Sequence, residues 1–264
     1  MNIKLVSYHL LANIKTVPKF FYHKLKGRKI EKPPVFIVCA AHSGSTLLIN
    51  MLQNHPNIYG IPGESKITNH PLTPVMIPVF NYLTIAHGKE RWIEKTASNV
   101  HRIEKLLKFK GAKVLVIRRD GRNVALSIKK RTGSIVRGIR RWANNNREAD
   151  PFLQDPRVQL VKYENLVEDP EKELTSILNF LDESFHPNCL KYHENTLYYF
   201  DTKVSQPPDS SRENLYQYRN WQINQPIYDN RNQWESLTDE DKEVVKEIGG
   251  EQLIEYGYVK NNDW

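Results

Sequence analysis

The chain has 264 residues, of which 39% are hydrophobic and two are cysteines, and its formal net charge is +8 at pH 7. This length and hydrophobic content suffice for one sizeable core. The low cysteine count excludes a disulfide-rich scaffold, and the apolar setting of Cys39 predicts a buried small hydrophobe. No run of 18 apolar residues occurs, so no membrane-spanning helix is predicted. We therefore expect a cytoplasmic protein, with any membrane association at the surface only.

The positive charge is concentrated in residues 1–32, which hold eight basic side chains and one acidic one. The remainder is close to neutral, so a nucleic-acid-binding surface is not predicted. Apolar residues of the same segment recur every three or four positions, which predicts a basic amphipathic helix with a kink at Pro18. Two interpretations remain open: the helix lies on an anionic membrane surface, or it packs on the body with its lysines in water.

A strand, a small-residue loop and a helix follow this arm. The apolar run Val35–Cys39 predicts a buried strand, and apolar residues at helical spacing begin at Leu47. The loop between them contains Gly44 and the hydroxyl donors Ser43, Ser45 and Thr46. Backbone N–H groups at the start of such a helix form an anion site, for which phosphate is the usual ligand. An ordinary strand–helix turn capped by Ser43 is the alternative.

A second strand–loop–helix unit lies further along the chain. The run Lys113–Ile117 predicts a buried strand that ends in the cationic loop 118–122, and a helix opens near Val124. In an open parallel sheet, ligands bind at the carboxyl ends of the strands. The planar guanidinium group of arginine suits phosphate. Solvated arginines with a cap at Asp120 are the alternative for this loop taken alone.

The other predicted elements alternate between strands and helices, which indicates a parallel sheet with right-handed crossovers. In chain order they are a short strand over Ile58–Gly60, an irregular cap over 66–92, a helix over 93–110, a basic helix over 134–147 whose Arg137, Arg140 and Arg141 form a solvated face, a strand over Val158–Val161, a helix over Pro170–Leu181, irregular loops over 201–233, and a final helix over Asp239–Tyr256.

Several segments, in this order, resemble motifs of the sulfotransferase family over most of residues 34–260. His42–Leu48 resembles the family's 5′-phosphosulfate-binding loop, and Arg119–Ser127 resembles its 3′-phosphate-binding motif. The segments Val161–Leu166, Asp169–Glu171 and Asn179–Leu181 follow the family's pattern as well. His55-Pro56, Gly63-Glu64 and Lys95-Thr96 look most like the tyrosylprotein and carbohydrate branches of the family.

The resemblance implies a P-loop-like α/β fold of three layers, with a central parallel sheet and helices on both faces. Residues 33–264 would form this domain after the arm of residues 1–32. The co-substrate implied is 3′-phosphoadenylyl sulfate (PAPS), and no metal is required. The donor-binding residues implied are His42, Ser43, Gly44, Ser45, Thr46, Arg119, Ser127, Arg131 and Tyr163.

Each of these residues receives a role from the same resemblance. Residues 43–46 would hold the 5′-phosphate and the sulfuryl group, whereas Arg119 and Ser127 would hold the 3′-phosphate. Arg131 would assist, since it lies four residues after Ser127 on one helix face. Tyr163 would lie near the adenine, and residues 231–234 would close over the nucleotide.

The catalytic residues implied are Glu64, Lys95 and His42. An acceptor hydroxyl or amine would attack sulfur in line, with Glu64 as the base and Lys95 as the stabilising cation. The family usually has lysine or arginine where this chain has His42. That histidine would stabilise the leaving group as a cation when protonated, or donate one N–H hydrogen bond when neutral. A carbohydrate or lipid-linked acceptor is preferred over other small molecules, because the basic arm suggests a membrane neighbourhood.

Two other classes remain open alongside a PAPS-dependent sulfotransferase. A different P-loop enzyme, such as a nucleotide kinase, is disfavoured because a Walker loop would place lysine where Ser45 follows the glycine. A non-catalytic nucleotide-binding protein at a membrane surface would be consistent with His42 and the basic arm.

Overall fold

The computed structural model describes residues 30, 32–194 and 215–264. The predicted amphipathic arm therefore lies almost wholly outside the described residues, as does the first part of the predicted 201–233 loops. Within the described residues, no helix combines the length and the hydropathy needed to cross a bilayer.

Five parallel strands form one sheet in the order β2-β3-β1-β4-β5. Their bounds are β1 Val35–Cys39, β2 Ile58–Gly60, β3 Arg91–Lys95, β4 Lys113–Arg118 and β5 Val158–Lys162. All five residues of β1 are buried, as expected for the central strand of a sheet that is covered on both faces. The chain moves from β1 to one side and later to the other, so β1 lies at the switch point of the sheet.

Nine α-helices belong to the described residues. They are α1 Ser45–Gln53, α2 Thr73–Ala86, α3 Ile103–Leu106, α4 Gly121–Thr132, α5 Ile135–Ala149, α6 Tyr163–Glu168, α7 Pro170–Phe180, α8 Leu215–Ile223 and α9 Asp239–Glu255. Short 3-10 helices occur at Ile67–Asn69, Ala97–Arg102, Asp150–Phe152, Pro187–Cys189, Tyr192–Glu194 and Gln233–Ser236.

The helices cover both faces of the sheet. On one face, Ile37 and Leu115 pack with the apolar sides of α1, α6 and α7. On the other, Phe36 and Val116 pack with α2 and α3, and a further cluster around Trp142 joins α4, α5 and α9. The predicted α/β fold with three layers and a central parallel sheet is confirmed.

The prediction of a helix over residues 93–110 is wrong in its first part. The chain forms β3 there, followed by the 3-10 helix Ala97–Arg102 and the single turn α3. The charged residues of β3 concealed a strand that is buried throughout. Arg91 pairs with the distant Glu183, at 3.2 Å, so the partner that allows its burial is not a sequence neighbour.

The prediction of irregular structure over residues 66–92 is also wrong, because α2 occupies Thr73–Ala86. Pro74 lies in the first turn, where proline is tolerated, and Pro78 lies inside the helix. Proline inside a helix loses one hydrogen bond, and the burial of Met76, Phe80 and Leu83 offsets that loss. Helix α8 is likewise a regular element inside the segment 201–233 that was predicted to be irregular.

Candidate active site

The first loop joins β1 to α1 and turns at two residues with positive φ, His42 at 72° and Gly44 at 93°. A Cβ atom on Gly44 would lie 2.3 Å from Cδ2 of Tyr163, so no larger residue fits without displacing that ring. No side chain caps the N-terminus of α1. The backbone N–H groups of its first turn are therefore left for a bound anion.

The second loop follows β4 and holds Arg119, which is 7% exposed. One guanidinium nitrogen lies 3.4 Å from the His42 carbonyl oxygen, and another donates to Oδ1 of Asn230 at 2.9 Å. The guanidinium carbon lies 4.4 Å from the ring centroid of Tyr163. The buried Nε of Arg119 has no hydrogen-bond partner among the described residues. The guanidinium group thus faces the first loop, and its Nε–H group is available to bind a ligand.

A side-chain contact joins the two loops. Oγ of Ser127, on α4, lies 2.8 Å from Nδ1 of His42. The imidazole is therefore directed towards the residue assigned to the 3′-phosphate. Ser127 belongs to the helix that Arg119 precedes, so this contact links the first loop to the helix that follows the second loop.

A carboxylate and an ammonium group meet at the ends of β2 and β3. Nζ of Lys95 donates to Oε1 of Glu64 at 2.9 Å. The Lys95 side chain is 4% exposed and that of Glu64 is 40% exposed. The carboxylate is thus accessible to a substrate, while the lysine approaches it from a buried position.

The buried carboxylate of Glu94 fixes the backbone beside both of these residues. Its Oε1 accepts from the N–H of Ser65 at 3.0 Å, from the hydroxyl of Ser65 at 2.7 Å and from the hydroxyl of Thr96 at 2.5 Å. Ser65 follows Glu64, and Thr96 follows Lys95. Burial is the largest influence on Glu94 and raises its pKa, while these hydrogen bonds oppose the shift. Glu94 was not singled out from the sequence, because nothing local indicates that it is buried.

The two loops and the Glu64–Lys95 pair line one cavity of about 650 Å³. Among the residues predicted for the site, this cavity is lined by His42, Gly44, Ser45, Thr46, Glu64, Lys95, Arg119, Ser127, Arg131 and Tyr163. Ser43 is the exception. It is fully buried, and its hydroxyl has no hydrogen-bond partner among the described residues. The structure therefore brings together all the predicted side chains except that of Ser43.

The segment 231–234, which is predicted to close over the nucleotide, begins at Arg231. Its guanidinium pairs with Asp229 at 2.9 Å and with Glu168 at 3.1 Å, and it does not line the cavity, whereas Asn230 and Gln233 do. Asn123 holds this segment, because its amide donates to the Arg231 carbonyl at 2.6 Å and accepts from the N–H of Trp234 at 3.0 Å. Asn123 lies inside the recognised Arg119–Ser127 motif, so the sequence contained a signal for it.

Other cavity residues were missed, most of which come from elements distant in sequence from the two loops. They are Asn50, Lys130, Arg141, Tyr192, Tyr218, Gln222, Gln225, Tyr228 and Asn230. Arg141 was assigned to a solvated face, and it is indeed exposed, yet it also borders the cavity. No cluster of metal-ligating side chains occurs within the ranges that the structure describes.

A model of the sulfotransferase family matches residues 74–187. The matched segment includes Lys95, Arg119, Ser127 and Tyr163, and it begins after the first loop. It covers less than half of the chain. No curated protein matches the sequence.

Several solved structures resemble the chain in fold. The sulfotransferase domain of an olefin synthase from Synechococcus PCC 7002 is 19% identical, with a TM-score of 0.54 over 84% of this chain and 96% of that one. Mouse sulfotransferase SULT7A1, solved with PAP, is 16% identical, with a TM-score of 0.54 over 92% and 95%. Sulfotransferase STF9 from Mycobacterium avium is 13% identical, with a TM-score of 0.51 over 94% and 81%. The chain thus has the fold of sulfotransferases, and the sulfotransferase family model matches its central segment.

Proposed function

We propose that this protein is a sulfotransferase that moves a sulfuryl group from PAPS to an acceptor hydroxyl or amine. One observation carries the proposal: the uncapped N-terminus of α1 and the guanidinium of Arg119 converge on one cavity, beside an accessible carboxylate paired with a buried lysine. The match to the sulfotransferase family model and the shared fold support it. The PAP held by the mouse structure supports this choice of donor.

The residues present fit a nucleotide with phosphates at both ends. The backbone of Gly44 lies directly against the Tyr163 ring, with no side chain between them, and the first turn of α1 offers N–H donors next to it. Arg119 keeps a buried, unpartnered Nε, and the guanidinium fork suits phosphate. Ser127 and Arg131 line the same cavity from α4. We assign the 5′-phosphosulfate to the first loop and the 3′-phosphate to the second.

The reaction proposed is an in-line displacement at sulfur. The acceptor oxygen or nitrogen bonds to sulfur as the bond from sulfur to the bridging oxygen of the 5′-phosphate breaks, and PAP leaves. The carboxylate of Glu64 takes the acceptor proton. The ammonium of Lys95, 2.9 Å from that carboxylate, stabilises the negative charge that builds on the bridging oxygen. No metal takes part in this proposal.

His42 takes a different position from that of a simple replacement cation. Its contact with Ser127, at 2.8 Å, orients the imidazole towards the second loop. We propose that His42 helps to align the two phosphate sites, and that Lys95 supplies most of the positive charge at the leaving group.

The acceptor proposed is a carbohydrate or a lipid-linked hydroxyl, a preference that rests on the basic arm of residues 1–32. Tyrosines and amide side chains on one wall of the cavity support a sugar, because aromatic faces and amides suit its apolar faces and its hydroxyl groups. Contact of residues 1–30 with an anionic membrane in the cytoplasm also remains a proposal. Deletion of those residues should then abolish binding to anionic vesicles.

A thermal-shift comparison of PAP, ATP and AMP tests the donor. A ligand that binds the native state raises the unfolding temperature, so PAP should give the largest rise. A larger rise with ATP and magnesium would contradict the proposal and favour a kinase.

The substitution Lys95→Ala tests the chemistry. Transfer of labelled sulfate from PAPS should be abolished, while PAP still raises the unfolding temperature, because Lys95 acts on the leaving group. Lys105→Ala is the control, since Lys105 is exposed and does not line the cavity. Near-normal turnover in Lys95→Ala would refute this assignment.

A further inference from the structure

The hairpin of α4 and α5 carries an unusual run of positive charge. Residues 121–147 contain eight basic side chains and no acidic one. Arg122 pairs with Asp120 at 2.6 Å, and Lys129 pairs with Asp241. Six of these side chains are exposed. The cationic face is defined here as the five that precede the last turn of α5, namely Lys130, Arg131, Arg137, Arg140 and Arg141, and the sixth, Arg147, lies in that turn.

The cationic face reaches the candidate active site. Lys130, Arg131 and Arg141 line the cavity, and α5 contacts the 3-10 helix that follows Lys95. Burial raises the pKa of the Cys39 thiol to about 11, and the charges of Lys95, Glu64 and Arg141 also act on that pKa. Arg141 thus lines the same cavity as Lys95 and Glu64, where the proposed reaction takes place.

Four members of this face, Lys130, Arg137, Arg140 and Arg141, differ from the basic groups elsewhere in the described residues that pair with carboxylates. Arg118, Arg157 and Lys113, for example, each pair with an aspartate. In the part of the chain that the structure describes, Lys130, Arg137, Arg140 and Arg141 make no ion pair with a carboxylate. The proposed donor accounts for Arg119 and Arg131 only. Like charges on one hairpin repel each other, and a bound anion would relieve that repulsion.

The size of the cavity indicates that the donor nucleotide lies inside it and that a large acceptor extends beyond it. A volume of about 650 Å³ is within the range of about 300–1,000 Å³ that holds one small ligand. The nucleotide would fill most of it, so a larger acceptor would extend outside. Arg137 and Arg140 lie outside, on the helix that borders the cavity with Arg141.

We propose that the acceptor is an acidic oligosaccharide, which binds along the cationic face through its carboxylate or sulfate groups. This inference rests on the proposed function and narrows its acceptor. Tyr218, Gln222 and Tyr228 line another part of the cavity and supply the aromatic and amide contacts that sugar rings use. A lipid surface fits this face less well. The exposed large hydrophobic residues of the described chain are Leu72, Val75, Tyr228 and Ile254, and none lies on α4 or α5.

Calorimetric titration of the full-length protein with PAP present tests this proposal. The probes are a sulfated hexasaccharide of alternating uronic acid and glucosamine, and neutral chitohexaose. The acidic sugar should bind at least about tenfold more tightly at low salt, with an affinity that falls as salt is added. Equal affinities for the two sugars would overturn the proposal.

The double variant Arg137→Gln/Arg140→Gln, at the two members of the face that lie outside the cavity, identifies the surface responsible. It should weaken binding of the acidic sugar about tenfold and raise the acceptor KM, with little change in the KM for PAPS. Arg147→Gln is the matched control, because Arg147 is exposed in the last turn of α5, where its charge offsets the helix dipole. An equal loss in both variants would mean that only net charge matters, and would overturn the assignment.

Two further arms separate the possible failures. If PAP itself does not bind, the proposed function fails. If PAP binds but the sugars are not distinguished, only the acidic acceptor is excluded. Vesicles of phosphatidylserine and phosphatidylcholine form the last arm. Vesicle binding that the double variant loses, with no sugar binding in either protein, would assign the face to a membrane and overturn the proposal.

Discussion

At the scale of the single residue, Gly44 sets how closely the first loop approaches Tyr163. Its φ of 93° and the 2.3 Å approach of a hypothetical Cβ to the Tyr163 ring are separate obstacles to any side chain. Gly133 also has a positive φ, of 76°, but nothing lies within 4 Å of its hypothetical Cβ. A substitution at Gly133 would therefore cause backbone strain alone, whereas one at Gly44 would cause both strain and steric overlap.

Gly44→Ala should lower the free energy of unfolding by about 2–5 kcal/mol, through both strain and overlap, and should weaken PAP binding. Gly133→Ala should cost only about 1–2 kcal/mol, the strain alone, with PAP affinity unchanged. Denaturant titrations and calorimetry measure the two quantities. Equal losses of stability would show that Tyr163 can move aside.

Glu94 is the residue whose role depends most on burial. Glu94→Ala should lower the free energy of unfolding by about 2–4 kcal/mol, because it leaves three buried donors without their acceptor. It should also reduce turnover by displacing Glu64 and Lys95. Glu94→Gln keeps an oxygen acceptor, and so should retain more of the activity. Equal activity of both variants and the wild type would show that Glu94 does not position the pair.

The pH dependence of stability gives a second test of Glu94. Burial raises its pKa in the folded state above the unfolded value of about 4.3. The native state therefore binds the proton more tightly than the unfolded state. As pH rises from the unfolded pKa of Glu94 through its folded pKa, ionisation of this residue lowers the free energy of unfolding. The stability of Glu94→Gln relative to the wild type should increase from pH 4 to pH 7. A constant difference would contradict the shift.

At the scale of the element, the sequence was informative where apolar runs were continuous. Strands β1 and β4 are such runs, and both are confirmed. Strand β3 was missed because its charged side chains are buried against distant partners, such as Glu183. Helix α2 was missed because Pro74 and Pro78 suggested loops. In each case, tertiary packing overrode the local signal.

The residues of the candidate site likewise fall into those that the sequence revealed and those that it did not. Both loops of the candidate site could be found from the sequence, because each follows its strand directly and their residue types alone suggest an anion site. Asn230 and Arg141 could not, since they reach the cavity from elements whose position depends on packing. The pairing of Arg231 with two carboxylates, Asp229 and Glu168, also could not be found from the sequence.

The attachment of residues 230–234 to α4 leads to a prediction for that element. Asn123→Ala removes two buried hydrogen bonds, and should lower the free energy of unfolding by about 1–3 kcal/mol. It should also weaken PAP binding, because Asn230 and Gln233 line the cavity from this segment. Asn123→Asp retains the acceptor for Trp234 and should lose less. Unchanged PAP affinity in both variants would show that residues 230–234 do not contribute to PAP binding.

At the scale of the whole molecule, the parallel sheet separates two charged centres. The proposed active site lies at the carboxyl ends of the strands. At their amino ends, Glu183 is 2% exposed and accepts from Lys32 at 2.9 Å and from Asn57 at 2.9 Å. Lys32 lies three residues before β1, so this contact fixes the start of the domain to the segment after α7.

Lys32→Ala should lower stability by about 1 kcal/mol, since the lysine is partly exposed and its interactions are screened. Burial alone would lower the pKa of Lys32, but hydrogen bonds to Glu90 and Glu183 outweigh it and raise that pKa. The stabilisation by Lys32 is fully present below its unfolded pKa of about 10.4, and it is lost as pH rises through its pKa in the folded state. Unfolding of both proteins at pH 8 and pH 11 measures this.

The control for Lys32 is Lys108→Ala, whose pair with Glu104 is exposed on both sides and should contribute almost nothing. A wild-type advantage over Lys32→Ala that persists unchanged at pH 11 would contradict the linkage.

The hydrogen bond from Arg119 to Asn230 has a kinetic consequence. A phosphate that binds the Asn230-bonded nitrogen, as well as the unpartnered Nε, would have to replace that amide, and a departing nucleotide would leave when the amide returns. Arrival and departure at the 3′ end would then share one exchange step, governed by the segment that carries Asn230. The residence time of spent nucleotide, rather than the breaking of the sulfur–oxygen bond, would in that case set the pace of the catalytic cycle.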